Sequence, residues 1–271
     1  MTVERKCNRN KKKDRQASKV NRGNLQLVED EKNSRQRKHK ELEPLQAKNE
    51  RQKEAFRLLD SKQLTVLTGS AGSGKTMLAS YFASKEWLKG NAENIIITRP
   101  NKSMNGDNAA IPGSDFLKTL PYTMAILSKL KMFLGAGVLK NNLRQEMQDV
   151  LFNDVSGIQV YSMEKLNGLS FDDKTIIIAD EAQSSTVGQM KSLLTRLESG
   201  ARMVVCGDPL QSAIRGDNGL DFLLRTLDKN PHKDIGVVKF LPEDCCRTGV
   251  SAHFTEIFER QGKWSEVESS K

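Results

Sequence analysis

The chain has 271 residues and a formal net charge of +9, and 37% of its residues are hydrophobic, which suffices for one sizeable core only if part of the chain lies outside it. No apolar run approaches the length of a membrane span, and the N-terminus lacks the apolar segment of a signal peptide, so we expect a cytoplasmic protein without membrane contact. The 4 cysteines and 3 histidines are not arranged as a disulfide framework or a zinc site.

The first 44 residues carry most of the excess positive charge. They hold 14 Lys and Arg against 7 Asp and Glu, a balance of +7, whereas the other residues hold 29 against 27, a balance of +2. Few aromatic or β-branched residues occur there, so we predict that the extension 1–44 is disordered or only partly helical. It is either an arm that neutralises nucleic-acid phosphates or a solubilising tail. Residues 261–271 are predicted to form a polar C-terminal tail.

Between residues 45 and 260, short apolar runs alternate with helical segments. The predicted strands are 64–68, 94–98, 158–161, 174–180, 201–207 and 235–240. The predicted helices are 49–60, 76–90, 187–199 and 219–229. This alternation is typical of an α/β fold in which a mostly parallel sheet is flanked by helices on both faces. We therefore predict a single α/β core over 45–260.

The interval 101–157 departs from this alternation. A polar loop rich in Gly, Asn and Pro precedes two predicted helices, at 114–134 and 139–152. The interval is either an insertion over one end of the sheet, serving as a lid that contacts substrate, or a plain crossover connection.

A phosphate-binding loop follows the first predicted strand. The segment "GSAGSGKT" at 69–76 matches the full pattern G-x-x-x-x-G-K-[ST] between a strand and a helix. Its backbone N–H groups turn towards phosphates, and the helix N-terminus adds its positive dipole. Lys75 is expected to reach the β- and γ-phosphates of ATP, and Thr76 to hold Mg²⁺. The predicted nucleotide-binding residues of this segment are Gly69, Ser70, Ala71, Gly72, Ser73, Gly74, Lys75, Thr76 and Met77.

Two adjacent carboxylates end the strand "KTIIIAD". Asp180 and Glu181 repel each other and are costly to bury, and the pair alone would equally suit a helix N-terminus. A phosphate loop, however, needs a second magnesium ligand and a group that orients the attacking water. We therefore predict Asp180 as a metal ligand and Glu181 as the catalytic base.

Further motifs resemble those of superfamily 1 helicases. "DEAQ" (180–183) and "GDPLQ" (207–211) are similar to the Walker B and third motifs of that superfamily. The resemblance implies that Gln211 senses the γ-phosphate and that Gln52, within "NERQKEA", hydrogen-bonds the adenine edge. Gln183 lies where the Walker B motif ends.

The chain is identified more closely as similar to the PhoH family, as a phage-type or stand-alone member. The similarity is carried by "GSAGSGKTMLA", "IIITRP", "IPGS", the block 176–211 and "NGLDFL". It implies a RecA-like P-loop NTPase core that hydrolyses ATP, assembly into rings, and a link to RNA metabolism. Arg247 matches the family's arginine finger, so the resemblance further implies a homo-oligomer, such as a hexameric ring, in which Arg247 acts in trans.

These features support an ATPase that requires Mg²⁺ and is coupled to single-stranded nucleic acid, RNA or DNA. The alternative is an assembly or switch protein that ATP controls without any coupling to nucleic acid. A small-molecule kinase is disfavoured, since it has no need of a Walker B motif ending in Gln with "GDPLQ" behind it.

Overall fold

The computed structural model describes five stretches of the chain, namely 42–100, 115–144, 156–166, 169–214 and 216–257. The basic extension up to residue 41 and the C-terminal tail 261–271 lie outside these stretches, as do 101–114 and 145–155 of the long interval. Predictions made for those segments therefore remain predictions.

The described residues form one seven-stranded sheet in which every strand pair is parallel, in the order β3-β4-β2-β5-β6-β1-β7. The strands are β1 Leu64–Gly69, β2 Asn94–Arg99, β3 Leu143–Arg144, β4 Gly157–Ser162, β5 Thr175–Ala179, β6 Arg202–Gly207 and β7 Ile235–Phe240. The five inner strands are buried along most or all of their length, because helices cover both faces of a sheet of this kind.

The helices form two layers on the sheet. They are α1 Glu50–Ser61, α2 Lys75–Lys89, α3 Asp115–Leu134, α4 Ala136–Asn142, α5 Val187–Leu194, α6 Gly219–Lys229 and α7 over 249–257. One apolar core joins α1, α2 and α3 to one face of the strands, and a second joins α5 and α6 to the other face. Alternate strand residues enter the two cores, as the period of a β-strand requires. The predicted α/β architecture is confirmed. None of the helices in the described stretches is both long and apolar enough to cross a membrane.

The sequence predicts the central strands better than the helix ends. The six predicted strands and the helices α1, α2 and α6 are present within a few residues of their expected bounds. The helix predicted over 187–199 ends earlier, at Leu194. The helix predicted over 139–152 is present only up to Asn142, and its continuation is wrong at Leu143 and Arg144, which extend and pair with Ile158 and Gln159 on the open edge of β4. In its described part, the interval 101–157 connects the neighbouring parallel strands β2 and β4 through α3 and α4.

The strand order brings three functional strand ends together. β6 lies between β1 and β5, and it pairs with both in parallel. The phosphate loop follows β1, Asp180 follows β5 and Asp208 follows β6. Because the strands are parallel, these residues meet at one edge of the sheet, where ligands of open α/β sheets bind.

Candidate nucleotide site

The phosphate loop runs from the end of β1 into the first turn of α2. Gly74 precedes the helix at φ 94°, and no side chain caps the first backbone N–H groups of α2. Uncapped N–H groups at a helix N-terminus, together with the helix dipole, bind anions. Ser73 stabilises the loop from within, since its hydroxyl donates to Ser70 O over 2.8 Å. The loop is thus formed as the sequence predicts.

Lys75 is folded onto the loop that carries it. Its ammonium donates to Gly69 O over 2.6 Å and to Ser70 O over 2.7 Å. Burial lowers the pKa of Lys75, and the negative charge of Asp208 opposes that shift. The Lys75 amine is thus held at the loop, where a phosphate oxygen can replace one of its carbonyl partners.

Thr76 and Asp180 meet across the site. The Thr76 hydroxyl lies 3.3 Å from Asp180 Oδ1 and 3.4 Å from Oδ2. The Asp180 backbone N–H donates to Thr98 O, which fixes the end of β5 against β2. Burial, followed by repulsion from Glu181, raises the pKa of Asp180 to about 6.

These two residues fit a magnesium ion. A hydroxyl oxygen beside a carboxylate is the oxygen donor set that Mg²⁺ prefers, and the ion takes its other ligands from water and substrate phosphates. The described part of the chain contains no cluster of three or more His, Cys, Asp or Glu residues that could hold a metal ion. A positive charge here would also offset the repulsion between Asp180 and Glu181.

Glu181 has a backbone conformation rare for its residue type. It lies in the left-handed region at φ 54°, the only residue other than glycine with a positive φ in the described stretches. Such strain persists where the surrounding structure enforces it, and it is common at active sites. Here it directs the chain from β5 into the short helical turn Ala182–Ser184.

A chain of hydrogen bonds connects Glu181 to Gln211. The Gln183 amide donates to Glu181 Oε2 over 2.6 Å and accepts the Asp208 backbone N–H over 3.0 Å. The Gln211 amide donates to Asp208 Oδ2 over 2.8 Å. The residue predicted as the base and the residue predicted as the phosphate sensor are therefore joined through two buried side chains, Gln183 and Asp208.

Arg247 lies over the phosphate loop of its own chain. Its side chain packs so closely on Gly72 that a Cβ on that glycine would lie 2.7 Å from Arg247 Cγ. The preceding residue, Cys246, donates its backbone N–H to Gly72 O over 2.9 Å. The Arg247 guanidinium contacts Thr255 Oγ1 at 3.4 Å. Arg247 is thus beside the phosphate loop within one chain, and its contact to phosphates remains a prediction.

Most of these groups line one cavity of about 570 Å³, among them Lys75, Thr76, Asp180, Glu181 and Arg247. Its wall also contains residues that the sequence did not indicate, among them Leu45, Lys48 and Lys129. Lys129 belongs to α3 and is half-buried, and nothing in the motif pattern distinguishes it from the other lysines of that helix. Asp208 and Gln183 stood inside quoted motifs, but only the structure shows what they contact.

Gln52 also lines this cavity, beside the phosphate loop. It is buried, and its side chain donates to Ser73 O over 2.9 Å. The structure thus brings together all the predicted site residues, Gln52 included.

The parallel sheet and the loop between β1 and α2 define a P-loop NTPase fold. The family described as "PhoH-like protein" matches residues 44–259. The chain belongs to the PhoH family, as the resemblance indicated.

Two curated relatives illustrate the extent of the match. Protein PhoH of Escherichia coli strain K12 is 31% identical over 216 residues, which cover 79% of this chain and 58% of the relative. Protein PhoH2 of Bacillus subtilis strain 168 is 33% identical over 171 residues, which cover 62% of this chain and 37% of the relative. The chain thus spans 58% or less of the length of these relatives.

The similarity to solved structures is weaker. The large terminase of a thermophilic bacteriophage in complex with ADP is 12% identical with a TM-score of 0.46, covering 75% of this chain and 48% of the terminase. The UvsW helicase of bacteriophage T4 is 11% identical with a TM-score of 0.44, covering 74% of this chain and 62% of the helicase.

Proposed function

We propose that this chain hydrolyses ATP with Mg²⁺ and that single-stranded nucleic acid, RNA in the first place, stimulates the turnover. The observation that carries the hydrolytic part is the position of Glu181. It follows the buried Asp180 directly, has a constrained backbone, and is held by Gln183 at the wall of the cavity that contains the phosphate loop.

Each residue has a separate task in the proposed reaction. The loop N–H groups and Lys75 bind the β- and γ-phosphates, while Glu181 accepts the proton of the water that attacks the γ-phosphorus. Arg247 neutralises charge on the phosphate as it is transferred, and Gln211 hydrogen-bonds the γ-phosphate. Mg²⁺, when bound by Thr76 and Asp180, supplies charge neutralisation at the phosphate oxygens.

The coupling to nucleic acid rests on the similarity of "DEAQ" and "GDPLQ" to helicase motifs and on the charge of the extension 1–44. The series of hydrogen bonds from Glu181 to Gln211 supports such coupling physically. A displacement of the turn Pro209–Gln211 would alter the hydrogen bonds that orient Glu181, the proposed catalytic base.

Phosphate release, measured with and without poly-RNA or single-stranded DNA, tests both parts. Wild type should be stimulated by nucleic acid, and Glu181→Gln should lose about a hundredfold or more of the turnover, the scale of general-base catalysis. Normal hydrolysis by Glu181→Gln would refute the assignment of the base. Turnover that no nucleic acid changes, with no binding at low salt, would favour the assembly or switch protein instead.

The subunit that provides Arg247 is tested separately. Mixtures of Lys75→Ala and Arg247→Ala chains should regain activity if Arg247 acts on a neighbouring subunit. The packing of Arg247 on its own Gly72 leads to the opposite expectation, that no activity returns. Deleting residues 1–44 tests the basic extension, since a phosphate-neutralising arm would make the salt dependence of binding less steep when it is removed.

A further inference from the structure

The Gln52 side chain is hydrogen-bonded to three separate segments of the chain. Its Nε2 donates to Ser73 O over 2.9 Å and to Cys246 Sγ over 3.3 Å. Its Oε1 accepts the Lys48 backbone N–H over 2.9 Å. Gln52 is only 5% exposed, although it lies on the polar helix α1, where a lone glutamine would ordinarily face solvent.

The partners fix the orientation of this amide. A backbone N–H can only donate and a carbonyl can only accept, so Oε1 must face Lys48 and Nε2 must face Ser73. A primary amide has two N–H bonds, and here both have acceptors. No N–H of Gln52 remains to bind the ring nitrogen of a purine, and only the second lone pair of Oε1 is left to accept from a 6-amino group.

The three partners belong to the three walls that meet at the phosphate loop. Leu45 and Lys48 line the cavity, and so do Cys246 and Arg247. The loop itself lies between them, close enough that a Cβ on Gly74 would lie 3.0 Å from Gln52 Nε2. Gln52 is therefore at the junction of the segment before α1, the loop and the segment that carries Arg247.

The Arg247 segment has a second attachment to the same helix. Arg51 Nη1 forms an ion pair with the buried Asp244 at 2.9 Å, and the Leu241 backbone N–H donates to the same carboxylate. Loss of the Gln52 contact would therefore leave residues 241–244 in place and weaken only the attachment of the part that continues to Arg247, which keeps the Cys246 N–H bond to Gly72 O.

We infer that Gln52 is a positioning residue, which fixes the Arg247 segment and the 45–48 segment against the phosphate loop, and does not select the base. This inference rests on the proposed ATP hydrolysis and assigns Gln52 a role that differs from the adenine contact expected from the sequence. Selection between a 6-amino and a 6-keto purine should then be independent of Gln52, whereas the rate of the chemical step should depend on it.

Kinetics with ATP and with inosine triphosphate separate the two roles. In Gln52→Ala, loss of positioning hydrogen bonds should lower kcat by about tenfold for both nucleotides, and leave the ratio of their kcat/KM values unchanged. Gln52→Glu keeps the side-chain volume and the acceptor for the Lys48 N–H, but its carboxylate has no hydrogen to donate. Its kcat should therefore fall as in Gln52→Ala, again for both nucleotides. If kcat/KM instead fell for ATP alone, down to the value for inosine triphosphate, Gln52 would be shown to recognise the purine base, and the inference would be overturned.

A readout without turnover tests the same contact. The alkylation rate of Cys246 is followed by mass spectrometry in a Cys245→Ala background. In Gln52→Ala this rate should rise about threefold to tenfold, because loss of a hydrogen bond increases the population of the locally opened state in which the Cys246 thiol is exposed. Gln63→Ala is the matched control: this side chain bonds Glu198 O at the far end of β1, and its loss should leave the rate unchanged.

The two tests also distinguish failure of the inference from failure of the proposed function. If wild type hydrolyses neither nucleotide, the proposed function fails, and the alkylation rate still decides whether Gln52 holds Cys246. If wild type hydrolyses ATP and the Cys246 rate is equal in wild type and Gln52→Ala, only the inference fails. Thermal melting of each variant verifies that the fold is retained.

Discussion

Gln183 donates a hydrogen bond to Glu181 Oε2 over 2.6 Å, although only Ala182 separates the two residues in the chain. The left-handed backbone of Glu181 makes this contact attainable, because it turns the chain back on itself. The other end of the amide is fixed by the Asp208 backbone N–H. The proposed base is thus held by a buried neighbour that is anchored on the next strand.

Gln183→Ala should lower kcat for ATP hydrolysis by about tenfold and change KM little, since the base loses its orientation while phosphate binding remains. Gln183→Glu retains an acceptor for the Asp208 N–H and loses only the donor to Glu181. It also places a second carboxylate beside the base, so the acidic limb of the pH–rate profile should move to higher pH. Unchanged kcat in both variants would remove Gln183 from the site.

The sequence predicts the local motifs of this region but not the contacts between them. Local patterns suffice for β1, the phosphate loop and the Asp180–Glu181 pair, because each depends on consecutive residues. The contact of Gln183 depends on the backbone conformation of Glu181 and on the register between β5 and β6, neither of which a motif specifies. A motif could thus include Gln183 without indicating its role.

Residues brought in by other elements were harder to predict. Lys129 reaches the cavity because α3 packs on the same face of the sheet as α2. Nothing in the sequence distinguishes a lysine in such a position from the other lysines of an amphipathic helix. β3 is only two residues long, and it forms because β4 offers a free edge. Both results come from tertiary packing, which overrides local pattern.

Gly72→Ala and Gly90→Ala form a matched pair of substitutions. Their φ angles, 75° and 77°, impose similar backbone strain, so each should cost about 1 kcal/mol of unfolding free energy. Only at Gly72 does the new Cβ meet Arg247, whereas at Gly90 nothing lies within 4 Å. Gly72→Ala should therefore lower kcat as Arg247→Ala does, while Gly90→Ala leaves kcat unchanged.

The double variant Gly72→Ala with Arg247→Ala decides the cause. If the new methyl group acts by displacing Arg247, the double variant should have the kcat of Arg247→Ala alone. If the decreases in kcat of the two single variants multiply in the double variant, Gly72→Ala acts on the phosphate loop itself. Urea unfolding of all four variants shows whether the strain costs are equal.

Lys129→Ala should raise the KM for ATP by about tenfold, the effect of losing one charged contact to the phosphates or sugar of the bound nucleotide. Lys129 lines the cavity that contains the phosphate loop, where the nucleotide is proposed to bind. Lys131→Ala is the control, since Lys131 lies on the same helix, is exposed, and does not line the cavity. Equal KM values for the two variants would show that Lys129 makes no such contact, and Lys129→Arg should preserve the wild-type value.

Asp180→Asn should stabilise the protein at neutral pH while abolishing magnesium-dependent turnover. The folded-state pKa of about 6 lies above the ordinary value of 3.8, so the folded state binds the proton more tightly than the unfolded state. The stability that protonation provides is complete below the unfolded pKa and is lost as the pH rises through the folded pKa. At neutral pH the buried charge beside Glu181 therefore costs up to about 3 kcal/mol, and the neutral amide does not incur that cost.

Urea unfolding without nucleotide or metal, near pH 4 and near pH 7.5, measures this difference. The gain of Asp180→Asn over wild type should be largest at the higher pH and should shrink towards the lower one, because wild-type Asp180 is then itself neutral in the folded state. A gain that is equal at both pH values would show that ionisation of Asp180 does not cause it. A loss of stability at the higher pH would mean that the carboxylate is stabilised by Thr76 and Arg99 more strongly than burial and Glu181 oppose it.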